Sequence, residues 1–288
     1  MTPIRPPLKW AGGKYGILGH IRAHLPPGRT LFEPFMGSAV VSLNMVYDRY
    51  CLSDANPDLV DFYRCVMEPG PDFIEQCRSY FTPKNNTRAR YNVLRNTFNR
   101  SKDPRKRAAL LLYLNRHGYN GLYRVNKSGA FNVPHGRYKK PKFPEEALRT
   151  FQARADCTDV QQLPFEQAMQ RAKPGDVVYC DPPYVPLSST ANFTGYTGAG
   201  FTLKDQETLV ELAHELRARG VSVVISNHDT PDTQRLYRDA ELHTFQVQRN
   251  ISRNGKNRGK APEVLAVFRA TQSADAQQCD ESSGTSLD

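Results

Sequence analysis

A short apolar run, Val177-Val178-Tyr179-Cys180, is followed at once by Asp181-Pro182-Pro183-Tyr184. As the end of a buried strand, it would deliver a carboxylate, two rigid prolines and an aromatic ring to one point. That set suits chemistry on an exocyclic amino group. Such an amine is a poor nucleophile, because its lone pair is delocalised into the ring that carries it. Two acceptors, the Asp181 carboxylate and the Pro182 carbonyl, can hold its hydrogens and favour a tetrahedral nitrogen. Consecutive prolines fix the direction of that carbonyl and bring no backbone donor to compete for it. Tyr184 can stack on a base that has left its helix. An Asp-Pro-Pro turn with a surface tyrosine explains the four residues taken alone, so the reading leans on the motifs around it.

The second motif is Phe32-Glu33-Pro34-Phe35-Met36-Gly37-Ser38. Here a strand ends and Gly37 lets the backbone turn closely past a ligand, which suits the methionine portion of a cofactor. Asp54 ends the next strand about 20 residues on, where nucleotide-binding sheets place an acid that holds ribose hydroxyls. Each could be an ordinary strand-end turn; the ordered pair is harder to dismiss. A third motif, Leu8-Lys9-Trp10-Ala11-Gly12-Gly13-Lys14, invites comparison with a phosphate-binding loop. That loop needs four residues between its first glycine and a Gly-Lys-Ser/Thr, whereas Tyr15 follows Lys14 and no such glycine precedes it, so an ATPase is disfavoured. The fourth motif runs from Asn115 through Tyr119, Asn120, Leu122 and Arg124 to Pro134, His135, Arg137 and Tyr138. Arg suits guanine edges, Asn suits adenine, and Leu and Pro suit the thymine methyl. Tyr119 could wedge into the stack left by a displaced base, and a tyrosine-rich hairpin under a core would not explain so many arginines.

These residues need a scaffold that gathers them. Apolar runs at 31–32, 50–53, 177–180, 221–226 and 264–268 predict buried strands, with helical patterns between several of them. The clearest helix spans 204–219, capped by Thr202, with Leu209, Leu212 and Leu216 on one face and Gly220 at its stop. Alternating strands and helices argue an α/β fold with a mostly parallel sheet and ligands at the carboxyl ends of its strands. The expected division is a catalytic domain of residues 1–56 and 145–270, an inserted domain of residues 57–144, and a disordered tail from 271 to 288. The insert is expected to be helical in its first two-thirds.

Charge singles out the insert. Between Lys84 and Lys142 lie 16 Lys or Arg against one acid, Asp103, so a segment of charge +15 sits in a chain of net charge +10. A solvated face would mix signs, and no strongly amphipathic flank suggests a membrane surface, so a polyanion is the better partner. Six scattered cysteines without a CxxC argue against a disulfide frame or a zinc site; no apolar run could cross a bilayer. The expected setting is cytoplasmic, with no metal.

Taken together, Lys9–Lys14, Phe32–Ser38, Asn115–Tyr138, Asp181–Tyr184 and Ser226-Asn227-His228-Asp229-Thr230 resemble the Dam family of DNA adenine methyltransferases, in the family's order, over residues 5–269. The resemblance implies a Rossmann-like seven-stranded methyltransferase sheet with an inserted, mostly helical target-recognition domain. It also implies S-adenosyl-L-methionine as cofactor, adenine N6 as the methylated atom and double-stranded GATC sites as substrate, bound by a monomer. By position, Trp10, Lys14, Glu33, Phe35, Gly37, Asp54, Phe165 and Asp181 would line the cofactor site, with Phe165 against its adenine. Lys9, Leu122, Arg124 and Pro134 would read bases, Tyr119 would intercalate, and Asn120, Arg137 and Tyr138 would support DNA contact. Asp181, Pro182 and Tyr184 would be the catalytic set. The chain departs from the family at His135, where relatives often carry Phe, and in the cofactor loop, which reads Gly37-Ser38-Ala39 where many relatives carry further small residues. Methylation of cytosine N4, modification of RNA adenine and a catalytically dead DNA-binding regulator are the competing readings.

Overall fold

The structure is a computed structural model that describes residues 2–69, 72–184, 201–248 and 260–271. Seven strands form one sheet: β1 (Thr30–Glu33), β2 (Arg49–Ser53), β3 (Thr158–Gln161), β4 (Val177–Cys180), β5 (Ser222–His228), β6 (Glu241–Gln248) and β7 (Lys260–Phe268). Their order is β3-β2-β1-β4-β5-β7-β6. Neighbours pair in parallel from β3 to β5, and β7 runs antiparallel between β5 and β6. Two of these strands, β3 and β6, escape the apolar-run criterion. Thr158-Asp159-Val160-Gln161 sits at a sheet edge and buries one residue, so it carries no continuous apolar run.

Strands β1 and β4 are buried along their whole length, as strands covered on both faces must be. Side chains alternate between the two faces. Leu31, Val177, Tyr179 and Val224 enter one core; Phe32, Val178, Cys180, Val223 and Ile225 enter the other. The second core is closed by α8 (Phe165–Gln170) and α9 (Leu203–Ala218), the latter held by a reciprocal cap between Thr202 and Asp205.

The first core is larger because the inserted helices join it. After α1 (Leu18–His24) and α2 (Val40–Asn44) come α3 (Pro57–Met67), α4 (Phe73–Arg78), α5 (Arg88–Arg100) and α6 (Pro104–His117). Every residue of α6 from Ala108 to Asn115 is buried, because α3, α4 and α5 surround it. The core of the insert is therefore continuous with that of the sheet. Arg64 of α3 donates to the Val160 carbonyl of β3 at 2.9 Å, and Tyr63 donates to the Ser38 carbonyl at 2.6 Å. Helix α7 (Glu145–Gln152) leads the chain back to the sheet. Of the expected tail, all but Thr271 lies outside the described residues.

The N-terminal segment is stitched to the insert by Asn115, at the end of α6. Its Oδ1 accepts from Lys9 N at 2.8 Å, and its Nδ2 donates to the carbonyls of Lys9 at 2.7 Å and Gly121 at 2.9 Å. Asn115→Ala would remove all three bonds and strand buried backbone groups. It should lower unfolding free energy by roughly 2–4 kcal/mol, measured by urea denaturation; a change near zero would show that Lys9 finds other partners.

Candidate active site and DNA interface

Strand order reverses between β1 and β4, which opens a crevice at their carboxyl ends. Glu33 ends β1 and Pro34 to Gly37 follow it, while Asp181 follows β4, so the two motifs flank that crevice. Asp181 is the meeting point. Lys14 Nζ lies 2.8 Å from Asp181 Oδ1, with the lysine 4% exposed and the aspartate 21%. The Lys14 ammonium also donates to the Gly12 carbonyl and sits 4.5 Å from the centre of the Tyr184 ring. Burial by itself works to lower the lysine; the Asp181 carboxylate beside it wins and holds Lys14 above its ordinary value.

Ser226, at the end of β5, is a residue that the reading of single motifs passed over. Its hydroxyl is 3.2 Å from Asp181 Oδ1 and accepts from the Tyr179 hydroxyl at 3.1 Å. Parallel pairing of β4 with β5 brings it there, a relation that spacing along the chain does not reveal. Both contacts fall on Oδ1; among the described residues Oδ2 has no hydrogen bond. Tyr184 is fixed from two further sides, by its hydroxyl at 3.4 Å from Glu263 Oε2 and by the His228 ring at 4.6 Å, edge to face.

The loop after β1 is built for a close approach. Gly37 has a φ of +47°, and a Cβ there would lie 3.1 Å from the Trp10 ring. Gly37 N donates to Asp54 Oδ2 at 3.1 Å, while Asp54 Oδ1 accepts from Asn56 N at 2.9 Å, so Asp54 ties the loop to the end of β2. Phe35 stacks on Phe165 at 5.3 Å, with Phe201 edge-on at 5.6 Å, forming an aromatic wall. Glu33 is spent within the loop: its Oε1 accepts from Ser42 N at 2.6 Å, capping α2, whose own cap residue is Ala39 and offers no side-chain oxygen.

A second cluster carries the nucleic-acid motif. From Gly118 to His135 the chain doubles back, with bridges Gly118–His135 and Val125–Phe131. Tyr119 is 52% exposed while its amide donates to the Pro134 carbonyl at 2.8 Å, so a projecting ring stands on a fixed base. The Arg124 guanidinium donates through Nε and Nη2 to Asn132, at 2.7 and 3.3 Å. Lys9 Nζ lies 4.5 Å over the Tyr138 ring, and the Tyr138 hydroxyl accepts from Asn120 N at 3.1 Å. Pro134 and Arg137 are exposed; Leu122 is half-buried. His135 fills an aromatic position, 5.3 Å from the Tyr91 ring. The clusters meet at Trp10, whose ring is 5.2 Å from Tyr123; the Tyr123 hydroxyl donates to Asp58, itself paired with Arg107.

The family model for D12 class N6 adenine-specific DNA methyltransferases matches residues 10–251. The chain belongs to that family. Relatives include the DNA adenine methylases of Vibrio cholerae serotype O1 (strain El Tor Inaba N16961; 47% identical over 270 residues, 93% of this chain and 98% of that protein) and Escherichia coli K12 (48% over 262 residues, 91% and 94%). The DNA adenine methylase of Serratia marcescens is 48% identical over 263 residues, 91% of this chain and 97% of that protein. This D12-class enzyme is thus an adenine-specific DNA methyltransferase on an α/β methyltransferase sheet, acting on DNA and requiring a methyl donor. Among its described residues no helix is long and apolar enough to cross a membrane.

Burial pushes the Glu33 carboxyl up to about 8 from an ordinary 4.5, with the Ser42 hydrogen bonds opposing the shift and the Asp181 charge adding to it. Below pH 4.5 the folded and unfolded chains both hold this proton. Between about 4.5 and 8 only the folded chain keeps it, so Glu33 makes stability fall as pH rises through that window. Glutamine keeps the acceptor for Ser42 N and does not titrate. Glu33→Gln should therefore gain more stability at pH 8 than at pH 5 in chemical denaturation; equal shifts at both values would refute the assignment.

Proposed function

We propose that the D12-class enzyme transfers methyl from S-adenosyl-L-methionine to adenine N6 in duplex GATC sites, as a monomer, after turning the adenine out of the helix. The supporting observation is the Lys14–Asp181 pair beneath Tyr184, in which Asp181 Oδ1 is occupied while Oδ2, beside Pro182, takes no hydrogen bond from the described residues. Bound in the crevice, S-adenosyl-L-methionine supplies an electrophilic methyl group on a cationic sulfur. The residues fit such a ligand: Gly37, at positive φ and bare of a Cβ, turns the chain tightly beneath Trp10, and Phe35 with Phe165 offers a surface for a purine. Lys14 brings no net repulsion of a cation, because Asp181 neutralises it.

The chain's own residues then act on the amine. Asp181 Oδ2 and the Pro182 carbonyl accept the two N6 hydrogens and turn the nitrogen lone pair toward the methyl donor. Lys14 and Ser226 hold Oδ1 and so keep the carboxylate from rotating. Tyr184 stacks on the displaced base and Tyr119 fills the gap it leaves. Arg124, braced by Asn132 on one edge, offers its remaining N–H groups to a guanine edge, alongside Lys9, Leu122 and Pro134. Asn120, Arg137 and Tyr138 steady the backbone contact. The N6–methyl bond forms as the methyl–sulfur bond breaks, whose electron pair stays with the sulfur of a departing neutral thioether. The extra N6 proton passes along the hydrogen bond to Asp181 Oδ2 and on to solvent. No covalent enzyme intermediate is required, and rate comes from positioning and polarisation.

Labelled methyl should pass to adenine of a duplex with one GATC site and not to a scrambled duplex of equal composition. Transfer to both would void the recognition assignments while keeping the enzyme. Asp181→Ala should abolish transfer yet leave DNA binding largely intact, and unchanged turnover would remove Asp181 from the mechanism. Arg124→Ala should relax discrimination at one base pair by about 1–3 kcal/mol; uniform weakening on all sequences would instead make Arg124 a phosphate contact.

A further inference from the structure

One buried amide outside the motifs touches the catalytic run. Gln206, in the first turn of α9, is 1% exposed. Its Nε2 donates to the Pro183 carbonyl at 3.0 Å. Its Oε1 accepts from the Tyr237 hydroxyl and from Asn227 Nδ2, each at 3.3 Å, and Asn227 Nδ2 also reaches the Tyr237 hydroxyl at 2.9 Å. Asn227 and Tyr237 are fully buried, so the amide is clamped before it meets Pro183.

The backbone shows why this contact matters. Ring closure fixes φ at Pro182 and Pro183. Asp181 and Pro182 each precede a proline, and that crowding confines both to extended geometry. Pro183 precedes Tyr184 and escapes the restriction, so its ψ is the soft dihedral of the run. That angle sets the direction of the Pro183 carbonyl and the placement of the Tyr184 backbone from which the ring projects, the ring itself being further held by Glu263 and His228. The carbonyl that reports the angle is the one Gln206 holds.

We infer that Gln206 is a positioning residue for Tyr184, setting through the Pro183 carbonyl the platform on which the displaced adenine stacks. The inference rests on the proposed stacking role of Tyr184. A glutamine that merely tied α9 to the sheet would stabilise the fold without altering how the base is held. Gln206→Met keeps chain length, drops the donor and leaves Asn227 paired with Tyr237.

The test uses the full chain with 2-aminopurine at the target adenine, whose fluorescence rises on flipping and is quenched by stacking. Gln206→Met should give brighter enzyme-bound duplex than the unaltered enzyme and a kcat lower by about ten- to a hundredfold. DNA affinity should stay within about twofold, and in a Tyr184→Ala background the same substitution should cost less than about twofold in kcat. Gln206→Glu separates positioning from misfolding. Its carboxylate cannot donate to Pro183 but its protonated form can, so its kcat relative to the unaltered enzyme should rise as pH falls. Normal fluorescence and kcat in Gln206→Met beside a defective Tyr184→Ala would overturn the inference alone. So would an undiminished effect of Gln206→Met in the Tyr184→Ala background. An unimpaired Tyr184→Ala would overturn the stacking reading and the inference with it.

Discussion

A lysine almost without solvent contact is stable only if an opposite charge stands beside it, because taking an ammonium out of water costs several kcal/mol. Lys14 meets that condition with one partner, Asp181, 2.8 Å away. The pair constrains far more than two side chains. Lys14 lies ahead of the first strand and Asp181 lies beyond the fourth, so the N-terminal segment must cross the mouth of the crevice to make the contact. Gly12, at φ +74°, turns its carbonyl to a second ammonium hydrogen. Replacing either charge alone would leave the other buried and unpaired, which fixes the segment as firmly as a strand pairing would.

That anchoring has consequences up the chain. With Lys14 held, Trp10 is laid over Gly37 on one side and beside Tyr123 on the other, and Lys9 is delivered to Tyr138. Gly121 lets Lys9 pass so closely that a Cβ there would lie about 2.5 Å from the lysine Cβ. Asn115 seals the crossing with three hydrogen bonds. Six residues therefore join the loop after β1, the carboxylate after β4 and the hairpin that follows α6. The same short segment touches the proposed cofactor loop and the proposed base-reading surface. Strain is distributed accordingly. Among the described residues, Ala39, Asn120 and Arg137 are the non-glycine positions with positive φ, one in the loop after β1 and two in the hairpin region.

How much of this was legible in the sequence follows from what each feature depends on. Strands β1 and β4 announce themselves because burial on both faces demands continuous apolar residues; the edge strand β3 has no such demand and leaves little trace. Helix α9 was legible to within a residue, since Thr202 and Asp205 are local cap chemistry. Lys14, Gly37, Asp54 and Asp181 stood out by type and place. Gln206 did not, and Ser226 stood out only as part of a motif with no role attached: each acts through a contact made across the sheet or from a neighbouring helix, which spacing along the chain does not reveal. Glu33 shows the converse, a motif residue whose visible partner is the amide of a short helix lacking its own cap.

Charge counted along the chain is also not charge on the surface. Several of the 16 basic residues between Lys84 and Lys142 are committed inside the insert. Arg107 holds Asp58 and the Phe98 carbonyl, Arg105 holds Glu68, Arg95 reaches the Val133 carbonyl, and Arg116 the carbonyl of Lys142. These arginines brace the helices and the hairpin instead of facing a phosphate. Their commitment makes the free ones effective: Lys127, Arg137, Lys139 and Lys140 are exposed on a scaffold whose shape is fixed by their neighbours. The hairpin buries Phe131 and Val133 in the first core, while much of the rest is exposed glycine, asparagine and basic residues. It keeps one conformation because Tyr123 reaches Asp58, Arg107 holds the same carboxylate, and Asn99 binds both polar groups of Phe131. The basic composition of this segment thus does two things that a count along the chain merges: part of it braces the helices and the hairpin, and part of it stands exposed on their surface.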